Sequence, residues 1–329
     1  MALRVEERIV SGGGRSRDEV LVHHLSLRGT DRQIGRHLAE LARGRYGVPP
    51  APVEAPLEAG AWLISRAAAL VERVRGAAGP GALLSRLGAP VKVGPGAAAF
   101  VPAALTTAGG PLLARVLEAP EGEGPLPLSS SRPYLLELHP DQGLPSLALV
   151  AFDLLGGVLD GINAAGLGVV AVPGEDPPGG RPPLDGLQLA RVVLDGCRTA
   201  EEAGELLAAA PPGAACGRWI VADRGGAALA VERTASGATA HRPEAPDAPL
   251  LFTDCALRAL RSALAAGVRG WTAAALDAAW ALALAAVPGV RPLWRGVYDL
   301  EARALDVRFL AGDGRPGEMT PELRFALAA

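Results

Sequence analysis

The sequence predicts an α+β fold of stacked layers with antiparallel sheets. Three observations predict it. Short strand patterns and helical patterns come in separate blocks, in the order strands, helices, strands, helices, strands, which suits packed layers and not a βαβ wind. The chain has 329 residues and is 49% apolar, enough to bury a sizeable core. Glycine pairs sit between strand patterns where hairpin turns belong.

Val20 to Leu27 alternates and reads as a strand. A helical pattern follows to Arg45, and Thr30 with Gln33 fits a capping box at its start. Residues 48–60 are rich in proline and alanine and read as a loop. Residues 60–88 read as helical, with a glycine-proline break at 79–81. From Lys92 the texture changes to short strands: Ala97 to Pro102, Pro111 to Glu118, Tyr134 to His139, Ser146 to Asp153, Val158 to Asn163 and Gly168 to Pro173. Gly109-Gly110 is a hairpin turn in this pattern. Two helices come next, Leu184 to Asp195 and Ala200 to Ala210, the second capped by Thr199 with Glu201 and Glu202 favouring its N-terminal dipole. Strands return at Trp219 to Asp223 and Ala227 to Thr234 around Arg224-Gly225-Gly226, with Asp223 supporting the turn. A helical block covers 254–286, and Gly296 to Ala302 with Leu305 to Leu310 reads as a closing hairpin.

Composition excludes several classes. The net charge is −3, so neither a nucleic-acid footprint nor a patch for anionic membranes is expected. Lys92 is the only lysine among 32 basic residues, a bias that fits a GC-rich, bacterial-type coding background. Charges run from Arg4 to Glu19 without an apolar stretch, so no secretory signal is expected. Trp271 to Val287 is apolar but short and interrupted by Asp277, which reads as a buried helix and not a membrane span. Cys197, Cys216 and Cys255 form an odd set without paired spacing, so neither a disulfide framework nor a zinc site is expected, and a reduced cytoplasmic setting follows. The five histidines, at 23, 24, 37, 139 and 241, show no metal-ligand spacing, and no P-loop, Rossmann fingerprint, HExxH or GxSxG motif occurs. No metal and no cofactor is expected.

Taken in order, several segments resemble one family. Leu27-Arg28-Gly29-Thr30 through Ile34-Gly35 is similar to the opening signature of the acyl-coenzyme A:isopenicillin N acyltransferase-like family. Thr106 to Arg115 resembles its second strand pair, and Asp160-Gly161-Ile162-Asn163-Ala164-Ala165-Gly166-Leu167 its Gly-x-Asn-x-x-Gly-Leu turn. Arg191 to Ala203, Ala222 to Gly226, Val231-Glu232, Thr253-Asp254 and Val297-Tyr298-Asp299-Leu300 continue the order. The resemblance implies an N-terminal-nucleophile hydrolase fold, a four-layer αββα sandwich. It also implies a precursor that cleaves itself between a Gly and a Cys, whose thiolate then attacks acyl groups with its own α-amine as base.

The segment Gly94-Pro95-Gly96-Ala97-Ala98-Ala99-Phe100 departs from that pattern. Gly96 matches the Gly before the scissile bond, but Ala97 stands at the nucleophile position, and a methyl group cannot attack a carbonyl. Arg115 remains. Val116 stands for an expected Asn and Glu118 for an expected Asp. Thr253-Asp254-Cys255 stands where the family shows Thr-Asn-His, and an acid at 254 opposes a developing oxyanion. Several departures at one site point to natural loss and not to a single engineered change. The expectation is an unprocessed, catalytically impaired chain. Its residues 1–96 match the propeptide region and stay attached to an αββα core at 97–329, in one structural domain. A pocket bordered by Ala97, Arg115, Glu118, Asn163 and Asp254 would bind an acyl or amide small molecule, or lie beside a partner in a homo- or hetero-oligomer. The alternative is an active amidohydrolase or acyltransferase with Cys255 as nucleophile. Asn163 reads equally well as a turn residue, since Asn tolerates left-handed backbone.

Overall fold

The computed structural model describes residues 2–327, apart from 12–19, 48–49, 88–95, 120–131, 152–156, 174–183, 212–213, 215, 254–267, 286–291 and 312–318. In chain order the elements are β1 (Arg4–Ser11), β2 (Val22–Gly29), α1 (Asp31–Tyr46), β3 (Pro50–Val53), α2 (Leu57–Arg66), α3 (Ala68–Ala78) and β4 (Leu84–Leu87). Then come β5 (Gly96–Val101), β6 (Leu112–Glu118), β7 (Tyr134–Pro140), β8 (Ser146–Val150), β9 (Asp160–Asn163) and β10 (Leu167–Pro173). They are followed by α4 (Gly186–Gly196), α5 (Ala200–Ala208), β11 (Gly217–Asp223), β12 (Ala228–Thr234), β13 (Gly237–His241) and β14 (Leu250–Thr253). The chain closes with α6 (Ala273–Ala285), β15 (Pro292–Asp299), β16 (Ala304–Phe309) and β17 (Leu323–Ala326).

Two large sheets organise these elements into an α+β fold. One has nine strands in the order β1-β2-β7-β8-β9-β10-β11-β12-β13, and the other has six in the order β14-β5-β6-β15-β16-β17. Every pair in them is antiparallel except β2 with β7. Strand alternation decides what each face meets. A Cβ added at Gly161 of β9 would press on Leu194 of α4, while one added at Gly168 of β10 would press on Leu113 of β6. The nine-stranded sheet therefore has a helix-facing side and a side facing the second sheet. In β5 the same alternation sends Ala98 and Phe100 into the large core, and Ala97, Ala99 and Val101 toward Trp271, Leu276 and Trp280 around α6.

The helices begin where local chemistry starts them. Thr30 and Gln33 form the reciprocal capping box of α1, and Gly47 closes that helix in the left-handed region. Asp185 and Gln188 form a second capping box at α4, which the sequence reading did not single out. Thr199 caps α5 as expected. Asp223 joins two elements, accepting from Ala227 N–H across the β11–β12 turn and from Ala200 N–H at the start of α5.

The elements β1, β2, α1 and α3 are built into this body. β2 pairs in parallel with β7, and α3 packs on both α1 and α4. The α1–α3 contact depends on two glycines. A Cβ at Gly35 would lie 1.9 Å from the Arg73 carbonyl oxygen, and one at Gly76 would lie 2.0 Å from that of Arg32. Arg73 is buried there and ion-paired with Asp195 of α4 and with Asp31 of α1, while Arg191 of α4 donates to Ser146 Oγ of β8.

Some expected boundaries move. The loop read at 48–60 contains β3, which pairs with β4, a strand inside the region read as helical. The prolines at 50 and 52 make β3 resemble a loop, and the four residues of β4 are too few to show a strand alternation. β1, β13, β14 and β17 were not read as strands. β1 and β13 are the two edges of the larger sheet, and their exposed residues hide the alternation. The helical pattern at 254–286 holds α6 over its C-terminal part, while 254–267 lies outside the described residues. Among the described residues no helix is long and apolar enough to cross a membrane.

Gly35→Ala is expected to destabilise the protein by about 1–3 kcal/mol, because the helices would have to separate to admit the methyl group. Urea denaturation checks this: the midpoint should fall at unchanged slope.

Candidate functional site

Four strand ends of the six-stranded sheet meet at one place. β5 begins at Gly96 opposite Leu117 of β6, β14 ends at Thr253 opposite Ala97, and β15 begins at Pro292 opposite Glu118. Arg115 projects from β6 into the space between the two sheets, because it is the register partner of Ala98 and shares the face of Leu113 and Leu117. It is 0% exposed. Its guanidinium reaches back toward the strand ends: a Cβ at Gly96 would lie 3.4 Å from the Arg115 Cζ and Nη2 atoms. None of its three guanidinium nitrogens has a hydrogen-bond partner among the described residues. Five N–H donors in a fixed fork are thus held in the buried interior.

The matching charge comes from the other sheet. Asp160 of β9 is 0% exposed and lies on the sheet-facing side, since its neighbour Gly161 faces α4. Tyr298 O–H donates to Asp160 Oδ1 at 2.5 Å, and Trp294 Nε1–H donates to Oδ2 at 3.3 Å. Both donors come from β15, the strand beside β6. Burial pushes the Asp160 carboxyl up, against the opposing pull of Arg115, Tyr298 and Trp294. Burial likewise pulls the Arg115 guanidinium down, against Asp160, Tyr298 and Glu118. The Tyr298 hydroxyl is pushed far up by burial and then by the Asp160 charge. This hydroxyl serves as a fixed donor and does not ionise near neutral pH.

The sequence-derived site residues separate on this frame. Arg115 stands at the centre, and Glu118, half-buried at the end of the same strand, opposes the pull of burial on its guanidinium. Ala97 lies on the opposite face of β5, packed with the α6 cluster. Ala98 and Gly96 are the positions that share the face of Arg115. Gly96 has no room for a side chain, because an added Cβ would sit 2.3 Å from the Val116 carbonyl oxygen. Asn163 turns toward the helix side. Its amide donates to the carbonyls of Leu194 and Cys197, and its oxygen accepts from Ala165 and Leu167 N–H. All its hydrogen-bonding capacity is spent on the turn and on the end of α4. Asp254 and Cys255 lie outside the described residues. Cys197 is buried, and burial pushes its thiol up to about 12, so it is not a nucleophile near neutral pH. Among the described residues, no group of three or more His, Cys, Asp and Glu side chains could hold a metal ion.

The sequence reading missed Asp160, Trp294 and Tyr298 as site residues. Asp160 and Tyr298 stand inside segments singled out for other reasons, and their meeting depends on how the two sheets stack. The signal available was the acid itself: a carboxylate that follows Val158 and Leu159 into a short strand has to find a partner when buried.

No family model matches the sequence, and no curated protein matches it. Solved structures do. Penicillin V acylase from Agrobacterium tumefaciens aligns at 16% identity over 64% of this chain and 82% of that one, with a TM-score of 0.40. A mutant conjugated bile acid hydrolase from Clostridium perfringens aligns at 12% identity over 69% and 92%, with a TM-score of 0.46. A second variant of that hydrolase aligns at 11% identity over the same shares, with a TM-score of 0.45.

Tyr298→Phe removes a donor from a fully buried carboxylate. It is expected to cost about 1–3 kcal/mol of stability. A urea midpoint unchanged from the native protein would show that the bond does not hold Asp160.

Proposed function

We propose that this chain is an N-terminal-nucleophile-type αββα protein, similar to the acyl-amide hydrolases and acyltransferases, that stays unprocessed and binds a neutral acyl amide between its sheets without turning it over. The observation that carries the proposal is Arg115: buried, its nitrogens unpartnered among the described residues, and aimed at the Gly96 end of β5. That end is the bond the family resemblance identifies as scissile.

Two further features support it. The run Ala97-Ala98-Ala99 offers no thiol or hydroxyl at any position that follows Gly96. β1, β2, α1 and α3 join the main body, which supports reading the elements before the bond as part of the fold and not as a detachable leader.

Charge balance selects the ligand type. Asp160 already supplies the counter-charge to Arg115, and Glu118 adds a second negative field. A free carboxylate would bring another negative charge into a buried space, which is costly. An amide or ester carbonyl accepts from the Arg115 donors without adding charge. The chain's own residues then do three things: Arg115 holds the carbonyl oxygen, Asp160 opposes the pull of burial on the Arg115 guanidinium, and Tyr298 with Trp294 keep Asp160 in place. No atom is present on the β5 face to attack the carbonyl carbon.

Intact mass after incubation tests the proposal in three proteins. The native chain is expected to stay whole. Ala98→Cys, whose thiol would share the face of Arg115, is expected to split before residue 98, and Ala97→Cys, whose thiol would face the α6 cluster, to stay whole. Splitting of the native chain would overturn the unprocessed state. Splitting of Ala97→Cys alone would return the nucleophile position to residue 97. Three whole chains would count against the acylase-like site.

A further inference from the structure

A different cluster lies at the N-terminal edge of the nine-stranded sheet, on the side facing the second sheet. Its centre is His24 of β2. Arg8 of β1 is the register partner of His24, and its Nε–H donates to His24 Nδ1 at 3.3 Å. Arginine can only donate, so Nδ1 must carry its lone pair and the ring proton must sit on Nε2. That Nε2–H then donates to Glu137 Oε2 of β7 at 3.0 Å. The other Glu137 oxygen accepts from His139 Nε2–H at 2.6 Å. One tautomer of His24 thus satisfies both of its neighbours.

Both His24 and Arg8 touch the last strand of the protein. The His24 ring meets Phe325 of β17 edge-on, with centroids 5.2 Å apart, and the Arg8 guanidinium carbon stands 5.8 Å from the centre of the same ring. Phe325 is buried, while β1 itself is an exposed edge strand. The other charged groups placed on this face by register are Arg4 and Glu6 of β1, Arg28 of β2, and Glu137 with His139 of β7. From β17 only apolar groups point here: Phe325 and Leu323 belong to the core, and Arg324 turns the other way to bind Asp306.

We propose that His24 is a pH-sensitive catch that, through Arg8, holds the C-terminal strand β17 against the edge of the nine-stranded sheet. Protonation of the ring places an N–H on Nδ1. It then faces the Arg8 N–H, donor against donor and cation against cation. Glu137 keeps the protonated ring where it is, because the imidazolium still donates to the carboxylate. Arg8, on an exposed strand, is the group free to leave. Its departure removes the cation–π contact from Phe325, and the hold on β17 weakens. Protonation of the ring therefore loosens the contact, and loss of that proton restores it.

Hydrogen exchange of the full-length protein tests this at about pH 7.5 and about pH 5.5, corrected for intrinsic exchange rates. Peptides covering β17 are expected to exchange about two- to fivefold faster at the lower pH in the native protein, the size of one lost exposed cation–π contact. His24→Gln carries no ionisable ring, and its β17 peptides are expected to show no acid response. Arg8→Gln, a change on the exposed strand, serves as a second variant should His24→Gln misfold. It is expected to exchange at the faster rate at both pH values. His139→Gln is expected to keep the native response, since Arg8 donates to the His24 ring and not to that of His139. A pH-independent β17 in the native protein would overturn the proposal, and so would an unchanged acid response in His24→Gln or Arg8→Gln.

Discussion

A guanidinium buried between two sheets is the constraint around which the rest of this structure is arranged. Arg115 comes from the six-stranded sheet, and the charge that matches it, Asp160, comes from the nine-stranded one. Desolvating both groups is expensive, and a buried carboxylate has to be held and hydrogen-bonded. Tyr298 and Trp294 do this from β15, the strand next to Arg115 itself. The sheets are thus fixed to each other at a polar point inside an apolar core. That point coincides with the strand ends at Gly96, Thr253, Glu118 and Pro292. The same arrangement leaves the Arg115 donors unpartnered among the described residues and turned toward the Gly96 end of β5.

The segment before Gly96 belongs to this body through packing that leaves no slack. Gly35 and Gly76 let α1 and α3 approach until backbone touches backbone, and Arg73 ties both helices to α4 through Asp31 and Asp195. β2 extends the larger sheet through its one parallel pair, and β1 completes the edge. The unprocessed chain we propose rests on two features: Ala97-Ala98-Ala99 follow Gly96, and elements before Gly96 carry part of the core.

Local chemistry was the legible part of the sequence. The Thr30–Gln33 box, the Thr199 cap and the Asp223 turn are each decided by residues a few positions apart, and each formed as read. Long-range pairing was not legible. Asp160 meets Tyr298 across 138 residues and Trp294 across 134, and no periodicity reports which strand of the other sheet will lie opposite. The face of β5 was hidden for a simpler reason. Three consecutive alanines look alike from both sides, so only the register with β6 shows that Ala98, and not Ala97, lies over Arg115. Asn163 carried two readings in the sequence, and its four internal hydrogen bonds place it with the turn.

The site stands or falls on whether Arg115 and Asp160 act as a unit. A double-mutant cycle in urea denaturation, with Arg115→Met, Asp160→Asn and the pair combined, measures that directly. Coupling of about 1–3 kcal/mol is expected, since each single change strands the other charge and the double change strands neither. Effects that add to within about 0.5 kcal/mol would mean that the two groups do not sense each other, and the inter-sheet site would lose its organising interaction.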